Sequence, residues 1–176
     1  MVVQPTVDMA EKWSKQRFTP AAAMMPVMDD LLSNKSRDGG NTTLLKLFAG
    51  GILIISGANS AASLRSMPIK RLGLDELDAY PIGLDGEGSP ADLATQRTST
   101  FVRRKILKIS TPTIKDLSAV DYEFELSDQR FYHVPCPHCV HCQVLRDDNL
   151  TDDGRYLCES CGILIEEHYK TQMLAK

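Results

Sequence analysis

Four cysteines near the C-terminal end constrain this chain more than any other feature: Cys136-Pro137-His138-Cys139 and Cys158-Glu159-Ser160-Cys161. Two C-x2-C pairs with eighteen residues between them have the spacing of a zinc ribbon. Each pair sits on a tight turn and offers two thiolates. Four sulfurs close a tetrahedral shell with no position left for water, which makes such a site structural rather than catalytic. Zinc also supplies folding free energy that so short a segment lacks in apolar core. A redox C-x-x-C is the competing reading, and two such pairs in register argue against it. Cys142 is left over, as a buried or free thiol or as an alternate ligand, and His138 and His141 are expected to face solvent.

The rest of the chain must fold by burying apolar surface. With 176 residues it is long enough for one respectable core plus a small appendage and too short for two full domains. No apolar run approaches the 18 or so residues needed to span a bilayer. The start, MVVQPTVDMAEKW, has neither a basic flank nor a long apolar stretch, so no secretion signal is read there. The expected compartment is the cytoplasm, where paired cysteines serve metals more often than disulfides. A net charge of -3 argues against a protein that simply coats nucleic acid. The charge is nevertheless uneven: Asp75 to Asp92 is acidic with no Lys or Arg, whereas Arg97 to Lys108 is basic with no acid. Solvated loops and strand ends account for that pattern; a metal-handling strand end beside a phosphate- or DNA-facing segment is the sharper reading.

Along the chain, β-prone and helical stretches alternate. Met1 to Gln4 reads as a short strand, and Thr6 or Asp8 can cap a helix over roughly Val7 to Phe18. Pro20 and Pro26 punctuate a second helical stretch whose Met24, Met25 and Met28 read as core filler. Ser33 to Asn41 is polar and glycine-rich, hence a loop. Thr42 to Phe48 and Ile52 to Ser56 form a hairpin about Ala49-Gly50-Gly51, followed by a turn and short helix over Gly57 to Arg65. Ile69 to Leu74 is a strand, Ser89-Pro90-Ala91-Asp92 opens a helix, Lys105 to Ile109 is a further strand, and Ser118 starts a helix to about Leu126. This alternation predicts a mainly parallel α/β sheet over residues 1–128, with the zinc-ribbon segment over 129–176. In such sheets chemistry gathers in loops at the carboxyl ends of strands. Three loops qualify: Gln4-Pro5-Thr6, Asp75-Glu76, and Ser110-Thr111-Pro112-Thr113.

A carboxylate at the position of Asp75 can hold Mg²⁺ while the next acid, Glu76, polarises an attacking water in phosphoryl transfer. An acidic turn is the bland alternative, and Lys70, Arg71 and Gly73 interrupt the apolar run usual in a buried central strand. Hydroxyls of Ser110 and Thr111 after a strand can sense a γ-phosphate; an ordinary Ser/Thr/Pro turn is the alternative. No G-x-x-x-x-G-K-[ST] occurs in the sequence, so no Walker A loop is read, and no Asp/Glu constellation of a metal nuclease follows.

In order along the chain, VVQPTVDMAEKWSKQR, SRDGGNT, GANSAASLR, LDELDAYP, GEGSPADLATQRTSTF, STPTIK and SDQRFYHVPCPHC resemble the large subunit of tailed-phage terminases of the GpA type. The resemblance covers nearly the whole chain. It implies an incomplete P-loop, helicase-like motor sheet with a C-terminal zinc ribbon. It implies a Walker B pair at Asp75-Glu76, a coupling motif from Ser110 and Thr111 to Thr113, and a conserved-type loop at Gln4-Pro5-Thr6, with Gln4 and Thr6 toward the cofactor. ATP and Mg²⁺, with structural Zn²⁺ on Cys136, Cys139, Cys158 and Cys161, are the expected cofactors. DNA, the small terminase subunit and the portal are the expected partners, in a phage-infected or lysogenic bacterial host. In the family a P-loop strand precedes the segment that starts here and an endonuclease domain follows the cysteines, so the chain reads as a truncated interior fragment without autonomous ATPase or nuclease activity. The other readings are an ATPase that takes its P-loop from another polypeptide, a zinc-ribbon module that binds DNA or a partner without turnover, and an inert prophage remnant. One departure is structural: Val140 stands where glycine commonly follows the first cysteine pair, in a turn that favours positive φ.

Overall fold

The structure is a computed structural model and describes residues 1–33, 41–84, 86–114 and 116–175. Most of the expected Ser33–Asn41 loop lies outside the described residues. Two compact units partition the chain, Met1–Glu125 and Leu126–Lys176.

The first unit is built on a five-stranded sheet. Strand β1 is Val2–Gln4, β2 Leu45–Phe48, β3 Gly51–Gly57, β4 Arg71–Asp75 and β5 Lys105–Ile109. They lie in the order β2-β3-β1-β4-β5. β1 pairs in parallel with β3 and β4, and β4 in parallel with β5. Only β2 runs antiparallel, paired with β3 through the tight Ala49-Gly50 turn, where Gly50 takes φ +82°. The sheet is thus mixed but mostly parallel, as the alternation of strands and helices predicts.

β4 is an interior strand although its sequence is not a continuous apolar run. Leu72 and Leu74 are buried against Val3, Leu64, Leu77 and Leu93. Arg71 sits exposed at the start of the strand, and Gly73 and Asp75 project to a half-open face. One well-packed face is sufficient to place this strand in the centre.

After β1 the chain enters helix α1, Val7–Trp13, capped by Thr6, whose Oγ1 accepts from the Met9 N–H at 3.2 Å. Pro20 does not end the helical run. A five-residue π turn over Ser14–Phe18 leads into α2, Thr19–Met24, and the Thr19 N–H reaches back to the Ser14 carbonyl. Pro20 has no N–H for a regular bond and its ring crowds the preceding turn, and the wider π turn accommodates both. Met24 (84% exposed) and Met25 (56% exposed) face outward, which corrects the reading of these methionines as core filler. The Pro-interrupted segment turns that side of α2 away from the sheet, and the core of this region uses Ala10 and Ala22 instead. Helix α3 is Pro26–Ser33.

Helix α4, Ala61–Leu64, and α5, Pro90–Gln96, pack Ala61, Leu64, Leu93 and Ala94 into the same core. Ser89 occupies the cap position of α5, but its side chain makes no capping bond; Pro90 at the first helical position removes one of the donors it could have served. α6, Ala119–Glu125, is capped by Ser118, whose Oγ accepts from the Asp121 N–H at 3.2 Å.

The second unit consists of two short hairpins and a terminal helix. β6 (His133–Pro135) pairs with β7 (Cys142–Val144), and β8 (Tyr156–Leu157) with β9 (Leu164–Ile165). α7, Lys170–Leu174, contributes Met173 to a core with Val134, Tyr156 and Ile165 that also takes in Cys136 and Cys158. Among the described residues, no helix is long and apolar enough to cross a membrane.

Candidate functional site

Each hairpin of the second unit turns through one cysteine pair, and the two turns repeat the same backbone plan. In the first, the Val140 N–H donates to Cys136 O (2.9 Å) and the Cys136 N–H to His141 O (2.8 Å). In the second, the Gly162 N–H donates to Cys158 O (3.0 Å) and the Cys158 N–H to Ile163 O (3.1 Å). The residue after each pair must take a left-handed conformation to close this turn. Gly162 does so at φ +67°, and Val140 is forced to the same place at φ +63°.

The result is a four-sulfur cluster. The Sγ atoms of Cys136, Cys139, Cys158 and Cys161 all lie within 4.8 Å of one another, with Cys136–Cys161 at 3.9 Å and Cys139–Cys158 at 3.7 Å. A tetrahedron with metal–sulfur bonds of about 2.3 Å has edges of about 3.8 Å, so the donor set fits a thiophilic divalent cation such as zinc. Its electrostatics point the same way. Burial opposes ionisation of Cys158, but the N–H groups of Cys161 and Ser160, together with the Cys136 and Cys161 thiols, outweigh it and draw the thiol down to about 6. The Ile163 N–H favours a thiolate at Cys161, yet burial and the neighbouring sulfurs push it up to about 12. A cation at the centre would offset the repulsion among sulfurs this close together. The cluster could therefore hold a metal ion, and its closed shell leaves no catalytic position.

Cys142 lies on β7, exposed and outside the converging sulfurs, so it is neither a buried thiol nor a ligand of this cluster. His138 and His141 are both exposed, and the His138 ring packs edge-on against Tyr169 at 5.3 Å. Gln143, which no motif singles out, links the hairpins: it is 2% exposed and its Oε1 accepts from the Glu159 N–H at 3.0 Å, inside the second cysteine turn.

In the first unit the carboxyl ends of β1, β4 and β5 lie side by side and carry the three loops picked out in the sequence. Gln4, 3% exposed at the end of β1, donates from Nε2 to Asp75 Oδ2 at 2.8 Å. Asp75 ends β4 half-buried, and Glu76 follows in a left-handed conformation at φ +55°, which turns its side chain outward. A cleft of about 260 Å³ opens here, lined by Gln4, Asp75, Glu76 and, from α1 and the π turn, Lys12, Trp13 and Arg17. Thr6 is not brought to Asp75; its hydroxyl serves the α1 cap.

The Ser110–Thr113 loop is tied to the β4 loop by a residue the motifs did not flag. Asp78, in the 3-10 turn Leu77–Ala79, accepts the Thr113 N–H (3.1 Å) and Oγ1–H (3.0 Å) on Oδ2, and the Val120 N–H (2.9 Å) on Oδ1. The Asp78 N–H in turn donates to Ser110 Oγ at 3.1 Å. Partial burial raises the Asp78 carboxyl pKa, but hydrogen bonds from Ser118, Val120 and Thr113 outweigh it and hold it below the ordinary value. The recurrence of Asp three residues after Asp75 in Leu-Asp-Glu-Leu-Asp was the available signal: one turn further on, that side chain faces the next loop. Tyr80 was also missed. Its hydroxyl donates to Val3 O at 2.8 Å, and burial followed by the nearby Asp75 charge raises its pKa well above the ordinary phenol value.

The family described as phage terminase large subunit gpA, ATPase domain, matches residues 1–176. The terminase large subunit of Enterobacteria phage P21 is 32% identical over 185 aligned residues, covering 95% of this chain and 28% of that protein. That of Escherichia phage lambda is 30% identical over 180 residues, covering 93% of this chain and 28% of that protein. The chain thus spans little more than a quarter of the length of these relatives. No solved structure matches it. The family match along the full chain, on a mostly parallel sheet whose strand ends carry the Gln4, Asp75 and Ser110 loops, establishes that this chain belongs to the phage terminase large subunit gpA ATPase family.

Proposed function

We propose that the chain is the interior of a terminase ATPase motor, in which Asp75 holds a nucleotide-bound Mg²⁺ and Glu76 polarises the attacking water. The observation that carries this reading is the placement of Gln4, Asp75 and Ser110 at the carboxyl ends of three adjacent parallel strands, with an open cleft beside the two acids. Mg²⁺, when bound, would neutralise charge building on the transferred phosphoryl group. The chain's own residues orient the carboxylates and, through the Asp78 bonds, connect the β4 loop to Ser110 and Thr113, the segment that would respond to loss of the γ-phosphate. Thr111 lies exposed in that loop and is the hydroxyl free to approach a phosphate. The G-x-x-x-x-G-K-[ST] pattern of a loop that cradles a triphosphate does not occur in the sequence. Structural zinc on Cys136, Cys139, Cys158 and Cys161 would fix the second unit, whose apolar core is small. DNA, the small terminase subunit and the portal are the partners this role would require.

A chimera tests the reading. The chain replaces the matching segment of the phage lambda protein, and ATP turnover is compared with the same chimera carrying Asp75→Ala and Glu76→Ala. Turnover in the first and a loss of at least a hundredfold in the second is the expected result. Equal turnover in two folded chimeras would overturn it. The isolated chain is expected to hydrolyse ATP no faster than its doubly substituted form.

A further inference from the structure

Gln4 and Asp75 belong to different strands, yet they meet in a contact that a packing role alone does not require. The Gln4 side chain is 3% exposed, and its backbone is fixed as well: Gly57 N and Gly57 Cα lie on the neighbouring β3, where the register pairs Gln4 with Gly57, and the Ala58 N–H donates to Gln4 O at 2.7 Å. The amide is therefore held in place before any ligand arrives. It presents one donor, Nε2–H, to one carboxylate oxygen, Asp75 Oδ2, at 2.8 Å. The chemistry of the pair is selective. A lysine or arginine bonded directly to Asp75 Oδ2 would offset its charge and compete with a cation. The basic side chains that line the cleft, Lys12 and Arg17, come from α1 and the π turn, and the group bonded to that oxygen is the Gln4 amide. A neutral amide fixes the rotamer of the carboxylate without placing a positive charge on the oxygen it bonds.

On this basis we propose that Gln4 is a positioning residue that orients the Asp75 carboxylate for a divalent cation, rather than a group that touches nucleotide itself. The inference rests on the cation-holding role proposed above for Asp75. A carboxylate already oriented loses less freedom on binding, so removing the amide weakens the cation without abolishing its site.

The chain supplies its own reporter. Trp13 is the single tryptophan, and it lines the same cleft as Gln4 and Asp75. With the cysteine cluster loaded with zinc, paramagnetic Mn²⁺ is titrated while Trp13 emission is followed, and thermal unfolding of each variant is recorded beside it. The wild-type chain is expected to show saturable quenching that Asp75→Asn removes. Gln4→Met keeps the side-chain length, lacks the donor, and is expected to weaken Mn²⁺ by up to about tenfold, the cost of ordering one side chain on binding. The exchange Gln4→Glu with Asp75→Asn keeps an amide–carboxylate bond but moves the charge to β1; it is expected to recover thermal stability without recovering Mn²⁺ binding. Unchanged Mn²⁺ affinity in Gln4→Met, with Asp75→Asn still silent, would show that Gln4 only packs and would leave the role of Asp75 standing. Full binding by the exchanged pair would equally overturn the inference. Absence of quenching in the wild-type chain, or quenching that survives Asp75→Asn, would remove the cation role of Asp75 and the inference with it.

Discussion

Replacing Val140 with glycine should strengthen the cysteine unit, and replacing Gly162 with valine should weaken it. The two residues close equivalent turns at φ +63° and +67°. A branched side chain in that left-handed region costs about 1–2 kcal/mol through the clash of Cβ with the following carbonyl. Val140→Gly recovers that amount. It gives back about 0.5 kcal/mol because glycine is freer in the unfolded chain, and about 0.5 kcal/mol of lost burial, since Val140 is already 68% exposed. The net gain is about 0.5 kcal/mol. Gly162→Val runs in the opposite direction. An added Cβ there meets nothing within 4 Å, so no clash with neighbours contributes, and the backbone term less the unfolded-state term leaves a loss of about 1 kcal/mol. The two variants should therefore differ by about 1.5 kcal/mol, roughly tenfold in apparent zinc affinity where metal binding and folding of the unit are coupled. A competition titration against a chelator of known affinity reads that ratio, and a urea midpoint for the zinc-loaded chain supplies an independent check. Equal affinities in both variants, or a weaker Val140→Gly, would refute the argument that the turn geometry is energetically strained at Val140.

The other two predictions concern the first unit. Gly57→Ala should destabilise it by about 2 kcal/mol or more in denaturant unfolding, because the new Cβ would lie 2.3 Å from Val7 N and 2.5 Å from Thr6 C, both backbone atoms that cannot rotate away. Asp78→Asn should speed amide exchange at Thr113 and Val120, whose N–H groups it holds, and leave the cysteine unit unchanged. Its pH dependence follows from the lowered folded-state pKa: the stabilisation by Asp78 is present above the ordinary carboxylate pKa and is lost as pH falls through the folded value, so the variant should flatten the acid limb of a stability–pH curve.

The strands and the metal-capable cluster were legible because each rests on local signals. Lys105 to Ile109 is a strand by pattern and in space, and two C-x2-C pairs require two turns that face each other. Reading Met24 and Met25 as core filler fails because apolar content is not burial; Pro20 and the π turn decide which side of the helix meets the sheet. β4 was underrated for the complementary reason. Its sequence reads as a strand, but an unbroken apolar run is not needed for a central place when one buried face, Leu72 and Leu74, is sufficient. Contacts between loops were the least visible. Gln4 and Asp75 stand seventy-one positions apart, and only the order β1-β4-β5 makes them neighbours.

That order also separates the two aspartates of Leu-Asp-Glu-Leu-Asp by the chemistry left to each. Asp78 receives the Thr113 N–H and hydroxyl on one oxygen and the Val120 N–H on the other, with Ser118 beside it. Its lone pairs are committed to protein donors, and a cation would have to displace several of them at once, each worth about 1.5–3 kcal/mol to a charged acceptor. Asp75 accepts the neutral Gln4 amide on Oδ2 and lines a cleft. Two carboxylates three residues apart thus differ in what is left to them: one is saturated and braces the Ser110–Thr113 loop, and the other lines the cleft in which the cation is proposed to bind. Exchanging those environments would require moving Gln4 and Thr113 across β4, which no single substitution can do. The difference between the two aspartates is a property of the sheet order, and it is the physical reason to seek a metal at Asp75 and not at Asp78.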